Sequence, residues 1–514
     1  MPAKLVGKAA TAPPRPTQTT PVPLATLVSR AGAELITPAG DPGQPLITGA
    51  TLRAQHVLPG DLFAGLAGAR VHGADFARQA VEAGAVAVLT DRDGARRLAD
   101  PPVPVLVHDD PRGALGVLAA WIYGEPSLRV KVIGVTGTSG KTTTTHMIES
   151  GLRAAGLTTG LVGTVETRIA GERLGSAFTT PEAPDLQALF AVMAERGVSH
   201  VPMEVSSHAL SLGRVNGTRF AVGAFTNLSQ DHLDFHEDME DYFQAKAALF
   251  DGRSTVEIVC VDGDWGRRLL TPRTVTVSGE GGADWTASAY TTTVSGEQSF
   301  VVHGPDRLVL PATLPMPGRF NVTNALVAAA CLHALGVEPA AIAAGLSTVE
   351  VPGRMERVAL GQDFTAVVDY SHKPAAVALA LDAIRERVRG KVIVVLGCGG
   401  DRDVAKRPVM GEAAARRSDL LIVTDDNPRS EDPSAIRAAM LAGALAVPAG
   451  ERGEVIDIGD RRAAINAAVD RAGAGDVVVI AGKGHETGQE IAGVVHPFDD
   501  RDELRAAIRR VVGR

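Results

Sequence analysis

Short apolar runs bounded by glycine or polar clusters recur along the chain, with stretches of helical character between them. Runs at residues 85–90 and 103–107 read as strands, and 112–122 as a helix. A run at 130–135 passes through glycines into a helix opening at 142–148, and further strands are expected at 198–205, 222–226 and 258–261. A more β-rich insertion covers about 274–310 and precedes a helix over 322–335. Beyond it, buried strands are expected at 366–369, 392–396, 420–424 and 477–481. Strands alternating with helices predict an α/β chain whose parallel sheets are covered on both faces. The expected divisions are a disordered tail over 1–23, rich in Pro, Thr and Ala, and an N-terminal domain over 24–128 that closes on a linker at 124–127. A central domain over 129–351 and a C-terminal domain over 352–514 follow.

At 514 residues the chain is too long for one core. With 45% hydrophobic and 21% charged residues it has the make-up of an ordinary globular protein. A net charge of −8 argues against nucleic acid as a partner bound by bulk electrostatics, yet leaves small anions open to local Arg and Lys. The three cysteines, Cys260, Cys331 and Cys398, lie far apart without metal spacing, which fits a reducing, cytoplasmic setting. No run approaches the roughly eighteen apolar residues of a membrane span, so membrane insertion is not expected.

The chemistry begins at 132–143, Val-Ile-Gly-Val-Thr-Gly-Thr-Ser-Gly-Lys-Thr-Thr. A buried strand running through a glycine-rich turn into a helix lets backbone N–H groups and the helix N-terminus converge on phosphate. Gly137, Thr138, Ser139 and Gly140 form the turn, Lys141 would reach the outer phosphates, and the Thr142 hydroxyl, next to Thr143, would sit on Mg²⁺. The eight-residue P-loop pattern wants glycine at 135, where this chain has Val135. Glu204 ends an apolar strand and could hold a hard cation, although such a glutamate alone is more often capped or paired. Asn227-Leu-Ser-Gln-Asp-His-Leu-Asp234 brings two carboxylates and His232 together after another strand. Lys246, on a helical stretch, reads by itself as a solvated surface charge.

Thr136–Thr143, Glu204-Val-Ser-Ser-His208, Asn227–Asp234, Gly318-Arg-Phe-Asn-Val-Thr-Asn324 and Val368-Asp-Tyr-Ser-His372 occur in this order. Together they resemble the Mur ligases, ATP-dependent amide-forming enzymes of peptidoglycan synthesis and hence of cell-wall growth, shape and division. The resemblance runs from about residue 45 to the C-terminus. It implies a three-domain architecture with a P-loop-type central parallel sheet and a Rossmann-like C-terminal domain. It also accounts for the loop length, since that family's nucleotide loop has the form Thr-Gly-Thr-x-Gly-Lys-Thr. Within the family the chain looks like the members that add the third residue of the stem peptide to UDP-N-acetylmuramoyl-L-alanyl-D-glutamate.

The resemblance further implies ATP and Mg²⁺ as cofactors and a monomer working in the cytoplasm. Lys141, His232 and Lys246 are the catalytic candidates. Thr142, Glu204, His232 and Lys246 are the metal set, with Lys246 carbamylated so that a cation becomes a carboxylate-like ligand. Asn321, Asn324, Arg354 and Asp369 match positions that help hold the nucleotide, with Asp369 on the ribose. Leu52, Thr179, Thr180, Ser206 and Arg214 match positions that contact the UDP-linked dipeptide. Many relatives carry Asp-Ser-Arg where this chain has Arg53-Ala-Gln55, which puts the family's serine contact in doubt.

The last region speaks to the incoming amino acid. Gly399-Gly-Asp-Arg402, Asp426-Asn-Pro-Arg429 and Ala481-Gly-Lys-Gly-His-Glu486 each follow a strand candidate. The second of these resembles the signature of ligases that add meso-diaminopimelate. Arg402 and Arg429 can bind a carboxylate as a fork. Asp426, Asn427 and Glu486 can hold an ammonium group, Pro428 shapes the loop, and Gly482 is expected to offer backbone contact. Rival readings are a lysine-adding or folylpolyglutamate-type ligase, and a nucleotide-dependent binding or switch protein that kept the loop and lost the ligation chemistry.

Overall fold

A computed structural model describes residues 13–38, 44–174, 179–293, 296–386 and 388–513. They divide into two compact units. One takes in the chain up to Val277 together with Val327–Ile342; the other takes in Ser278–Leu326 and Ala343 onward.

The first unit contains two large sheets. The smaller has the spatial order Glu34–Ile36, Val105–Val107, Ala87–Thr90, Asp61–Ala64, Gly49–Thr51, parallel except at its first strand. The helices Leu24–Ala31 and Pro111–Ile122 share its core through Leu24, Leu27, Leu115 and Leu118. Asp110 caps the second helix by accepting from the Gly113 N–H, and Pro111 opens it with a preset φ.

The larger sheet has eight strands. Their order is Glu172–Leu174, Thr167–Ile169, Gly160–Val162, His200–Glu204, Lys131–Thr136, Phe220–Phe225, Ser254–Cys260, Val275–Val277. It is parallel from Gly160–Val162 onward. In the middle strand Gly134 leaves room for Phe220, whose ring lies 2.7 Å from where a Cβ would be. Register pairs Glu204 with Val135 and Phe225 with Thr136, so three strands end side by side. The polar motifs that follow them therefore start from one sheet edge.

In the second unit Thr286–Thr292, Gln298–His303 and Val309–Leu314 form an antiparallel sheet. A six-stranded sheet has the order Glu356–Arg357, Thr365–Asp369, Val477–Ala481, Val392–Leu396, Leu420–Val423, Glu454–Asp457, parallel except at its first strand. Alternation along these buried strands divides two cores. Val392, Val394, Leu396, Leu421, Val423, Val477 and Val479 pack with the helices Pro374–Arg385, Lys406–Ala415 and Pro433–Ala446. Ile393, Val395, Leu420, Ile422, Val478 and Ile480 pack with Arg461–Asp470 and Asp500–Val512. Register places Asp369, Ala481, Leu396 and Val423 along one edge.

Each large parallel sheet thus falls within one of the stretches 24–128, 129–351 and 352–514. The expected tail needs a correction. Residues 1–12 lie outside the described residues, but 13–23 are held by specific contacts. Arg15 pairs with the buried Asp61 at 3.0 Å, and the Thr17 and Gln18 N–H groups donate to the Glu195 carboxylate, each at 3.0 Å. Val22–Pro23 pairs with Leu46–Ile47. One guanidinium and a few backbone bonds order a segment whose composition favours disorder. Among the described residues, no helix is long and apolar enough to cross a membrane.

Candidate active site

In the first unit the strand Lys131–Thr136 leads through Gly137 (φ 145°) and Gly140 (φ 87°) into the helix Lys141–Ala154. Gly137 is required twice over. Its φ disfavours a side chain, and a Cβ there would lie 2.0 Å from Thr226 Oγ1. The loop is braced from the neighbouring strand end. Thr138 N donates to Asn227 O (2.9 Å), Ser139 N to Asn227 Oδ1 (3.0 Å), and Thr226 Oγ1 to Ser139 O (2.7 Å). Lys141 Nζ folds back onto Gly137 O (2.8 Å) and Thr138 O (3.0 Å), while Thr142 and Thr143 are buried in the first helical turn. This is a rigid turn at a helix N-terminus with a lysine over it, suited to phosphate.

Lys246 belongs to this loop. It is 1% exposed, its Nζ donates to Gly137 O (3.0 Å) and lies 4.5 Å from the centre of the Tyr242 ring. The surface reading of that lysine fails because the face of the Met239–Ala247 helix that carries it packs inward. Tyr242 in turn pairs its hydroxyl with Thr138 Oγ1 at 3.1 Å. Burial is the chief reason that Tyr242 is pushed above the usual phenol range.

Glu204 is buried at its strand end. Its Oε1 accepts from Thr164 N (2.8 Å) and its Oε2 from Thr164 Oγ1 (3.1 Å). His232 has φ 54°, lies 3.1 Å from the Asp231 carboxylate, and meets His208 edge-on at 4.9 Å between ring centres. His208 stacks on Phe235 at 4.1 Å, and burial, aided by His236, lowers its pKa. Among the described residues, no three His, Cys, Asp or Glu side chains converge as a metal cluster.

Four of the five dipeptide-contact candidates meet beside Glu204. Thr179 Oγ1 pairs with Thr164 Oγ1 (3.0 Å), and Thr180 Oγ1 donates to Glu204 O (2.9 Å). Ser206 N donates to Thr180 Oγ1 (3.3 Å). Arg214 donates to Thr180 O (3.3 Å) and pairs with Glu182 (2.9 Å). Leu52 stands apart from them and packs against the core of the smaller sheet.

In the second unit, Asn321 and Asn324 share one face of the helix Arg319–Ala334, with Asn324 Nδ2 donating to Asn321 Oδ1 at 3.3 Å. The Asp369 carboxylate accepts from Met355 N and Ser371 N, both at 2.8 Å, and so ties the strand end to the turn that contains Arg354. The Arg354 guanidinium lies over the Tyr370 ring at 4.5 Å.

The loops after Val392–Leu396, Leu420–Val423 and Val477–Ala481 meet at the shared sheet edge. Arg429 has φ 53°, donates from Nη1 to Gly400 O (2.7 Å), and has Nε 3.3 Å from the Glu490 carboxylate. Gly400 must be glycine, since a Cβ would lie 2.0 Å from Pro428 O. Arg402 is exposed on the neighbouring loop. Asn427 Nδ2 donates to Glu486 Oε2 (2.9 Å). Gly482 (φ 114°) donates to Asp369 O (3.1 Å), and a Cβ there would come 3.1 Å from Asp426 Oδ2. The arrangement offers guanidinium and carboxylate side by side, the requirement of an α-amino-acid head.

Four side chains escaped the sequence reading. Lys483 lies inside the quoted 481–486 motif, and its buried ammonium touches Asp426, Asn427 and Glu486. Glu490 sits on the hairpin Gly488–Ile491/Val494–Pro497, which has no local signature. Arg461 and Asp500 form a fully buried fork, with Nε–Oδ1 and Nη2–Oδ2 both at 2.7 Å, and Arg461 Nη2 also donates to Ala481 O. Burial opposes the Arg461 charge, but Asp500 outweighs it and holds the guanidinium pKa above its usual value.

Three family models match the chain: "Mur ligase family, catalytic domain" over residues 46–123, "Mur ligase middle domain" over 135–332, and "Mur ligase, glutamate ligase domain" over 353–484. A UDP-N-acetylmuramoyl-L-alanyl-D-glutamate--2,6-diaminopimelate ligase from Streptomyces avermitilis is 55% identical, covering 98% of this chain and 99% of its own. The protein of that name from Corynebacterium efficiens is 55% identical over 87% of each chain. A solved structure of a protein with this name superposes with a TM-score of 0.68 at 30% identity, over 96% of this chain and 100% of its own.

Proposed function

The chain belongs to the Mur ligase family, and on that premise we propose that it adds meso-2,6-diaminopimelate to UDP-N-acetylmuramoyl-L-alanyl-D-glutamate at the expense of ATP. The observation that carries this choice of amine is the meeting of Arg429, Asn427, Asp426 and Glu486 at one sheet edge. Diaminopimelate has a second amino-acid head that such a guanidinium–carboxylate pair can clamp. Lysine has no carboxylate at its far end to offer Arg429.

Two bonds are exchanged in sequence. The γ-phosphoryl group passes from ATP to the free carboxylate of the D-glutamyl end, giving an acyl phosphate and ADP. The amine nitrogen then attacks that carbonyl carbon, the amide forms, and phosphate leaves with the former carboxylate oxygen. Phosphoryl transfer needs positioning and charge neutralisation more than covalent help. The loop over 137–140, braced by Asn227, together with Lys141 and the helix N-terminus supplies both, while Asn321, Asn324, Arg354 and Asp369 serve the rest of the nucleotide. Thr179, Thr180, Ser206 and Arg214 hold the UDP-linked dipeptide.

Mg²⁺ calls for hard oxygen donors, and the buried Thr142 hydroxyl and Glu204 carboxylate fit that need. His232 and a carbamylated Lys246 complete the proposed set, and the bound ion would supply charge neutralisation for the triphosphate. The incoming amine must be neutral to attack, whereas a free alkyl amine with pKa of about 10 is mostly protonated at pH 7. His208 is the candidate acceptor of that proton, since His232 is assigned to the ion. We place the reaction in the cytoplasm, in a monomer.

The test is phosphate release with ATP, Mg²⁺ and the UDP-linked dipeptide, in the presence of diaminopimelate, lysine or neither. Release that requires diaminopimelate supports the reading. Equal release with lysine would overturn the choice of amine, and release indifferent to amino acid would favour a switch protein.

A further inference from the structure

Among the described residues two lysines are fully buried, Lys246 against the phosphate loop and Lys483 beneath the amino-acid site. Lys483 lies between Gly482 (φ 114°) and Gly484 (φ 54°), and these glycines let the chain turn sharply enough to aim its side chain inward. Its exposure is zero. Its Nζ donates to Asn427 Oδ1 at 3.0 Å and Glu486 Oε2 at 3.1 Å, and lies 3.5 Å from Asp426 Oδ1. An ammonium has three protons, and all three are directed at protein oxygens. We propose that Lys483 is the positioning residue of the amino-acid site: it never touches substrate, but sets the orientation and net charge of the three side chains that do. The proposal rests on the amino-acid site assigned above.

Orientation follows from the donors around Asn427. Lys483 Nζ and Glu490 N (2.9 Å) can only donate, so Asn427 must turn its oxygen toward both of them. Its amide NH₂ is thereby directed to Glu486 Oε2. Charge follows from the same contacts. Asp426 and Glu486 share one ammonium, so two negative charges and one positive leave a recess with a single net negative charge. That matches the one ammonium of an amino-acid head, while Arg429 is left to its carboxylate. Without the lysine, the two carboxylates would lose the ammonium they share, and the Asn427 oxygen would be held by the Glu490 N–H alone.

The experiment compares the intact enzyme with Lys483→Met, which removes charge and hydrogen bonds, and Lys483→Gln, which keeps a donor without charge. Phosphate release is followed against diaminopimelate, ATP and the UDP-linked dipeptide separately, with ATP binding and thermal melting measured alongside. The expected result is a KM for diaminopimelate raised about 30-fold or more in Lys483→Met, and less in Lys483→Gln. The KM values for ATP and for the dipeptide stay within about twofold in both. An unchanged KM for diaminopimelate in a folded variant overturns the proposal. So does a parallel loss of melting temperature and ATP binding with all three KM values raised alike in both variants, which marks a purely structural lysine. Failure of the unmodified enzyme to respond to diaminopimelate would instead remove the assigned reaction, and this role with it.

Discussion

Replacing Arg429 with Ala isolates the carboxylate half of the clamp. The backbone around it stays anchored, because Arg429 N donates to Glu490 O (3.0 Å) and Ala492 N to Arg429 O (2.7 Å), and neither bond uses the side chain. The side chain is 23% exposed, so its charge-assisted contact is only partly screened. Losing a forked guanidinium–carboxylate contact of that kind costs about 2–4 kcal/mol. At 1.4 kcal/mol per factor of ten, that is a rise in KM for diaminopimelate of roughly 30- to 1000-fold. Arg429→Lys keeps the charge and loses the fork, and should fall between the two at roughly tenfold. Arg429→Gly should lose as much binding as Arg429→Ala yet melt higher, by the equivalent of about 1 kcal/mol, because φ is 53° there. The assay is phosphate release against diaminopimelate at saturating ATP and UDP-linked dipeptide, with ATP affinity as the control. A KM that does not move in Arg429→Ala, or an ATP affinity that falls with it, would refute the reasoning.

Gly137→Ala should depress ATP-dependent phosphate release by more than about 100-fold, because its Cβ would sit 2.0 Å from Thr226 Oγ1 at a φ of 145°; near-normal turnover would show that the loop relaxes. Arg461→Met strands the buried Asp500 at a cost of about 3–5 kcal/mol, lowering the melting temperature by on the order of 10 °C. The double variant Arg461→Met/Asp500→Leu should regain most of that loss, and calorimetry checks both. Burial lowers His200 from its usual 6.5 to about 4, so the unfolded chain takes up its proton first as pH falls. The associated stability is fully present above pH 6.5 and is lost toward pH 4. Urea unfolding of His200→Gln should therefore show a shallower acid limb than the parent; identical limbs would count against it.

Much of the candidate site was legible because it is local. Residues 132–143 specify strand, turn and helix by their own order, and Gly137 and Gly140 supply the φ values that turn demands. The 399–402, 426–429 and 481–486 motifs each directly follow a run of Val, Ile and Leu that reads as a buried strand. Other features left no such trace. The order of the six-stranded sheet places Val477–Ala481 between Thr365–Asp369 and Val392–Leu396, far from its neighbours in sequence. Glu490 reaches Arg429 only because a hairpin pairs with the Arg429 loop through Ile491.

The sequence by itself determined where the strands and glycine turns lie and which polar groups follow them, since backbone conformation and apolar alternation are set by near neighbours. Only the tertiary structure decided which of those groups meet. It turned Lys246 from a presumed surface charge into a buried partner of Gly137, set Lys483 beneath Asp426, Asn427 and Glu486, and tied Arg15 to Asp61. Burial is the physical reason. A charge removed from water must find its partners wherever the packed chain brings them, and no local spacing encodes that position.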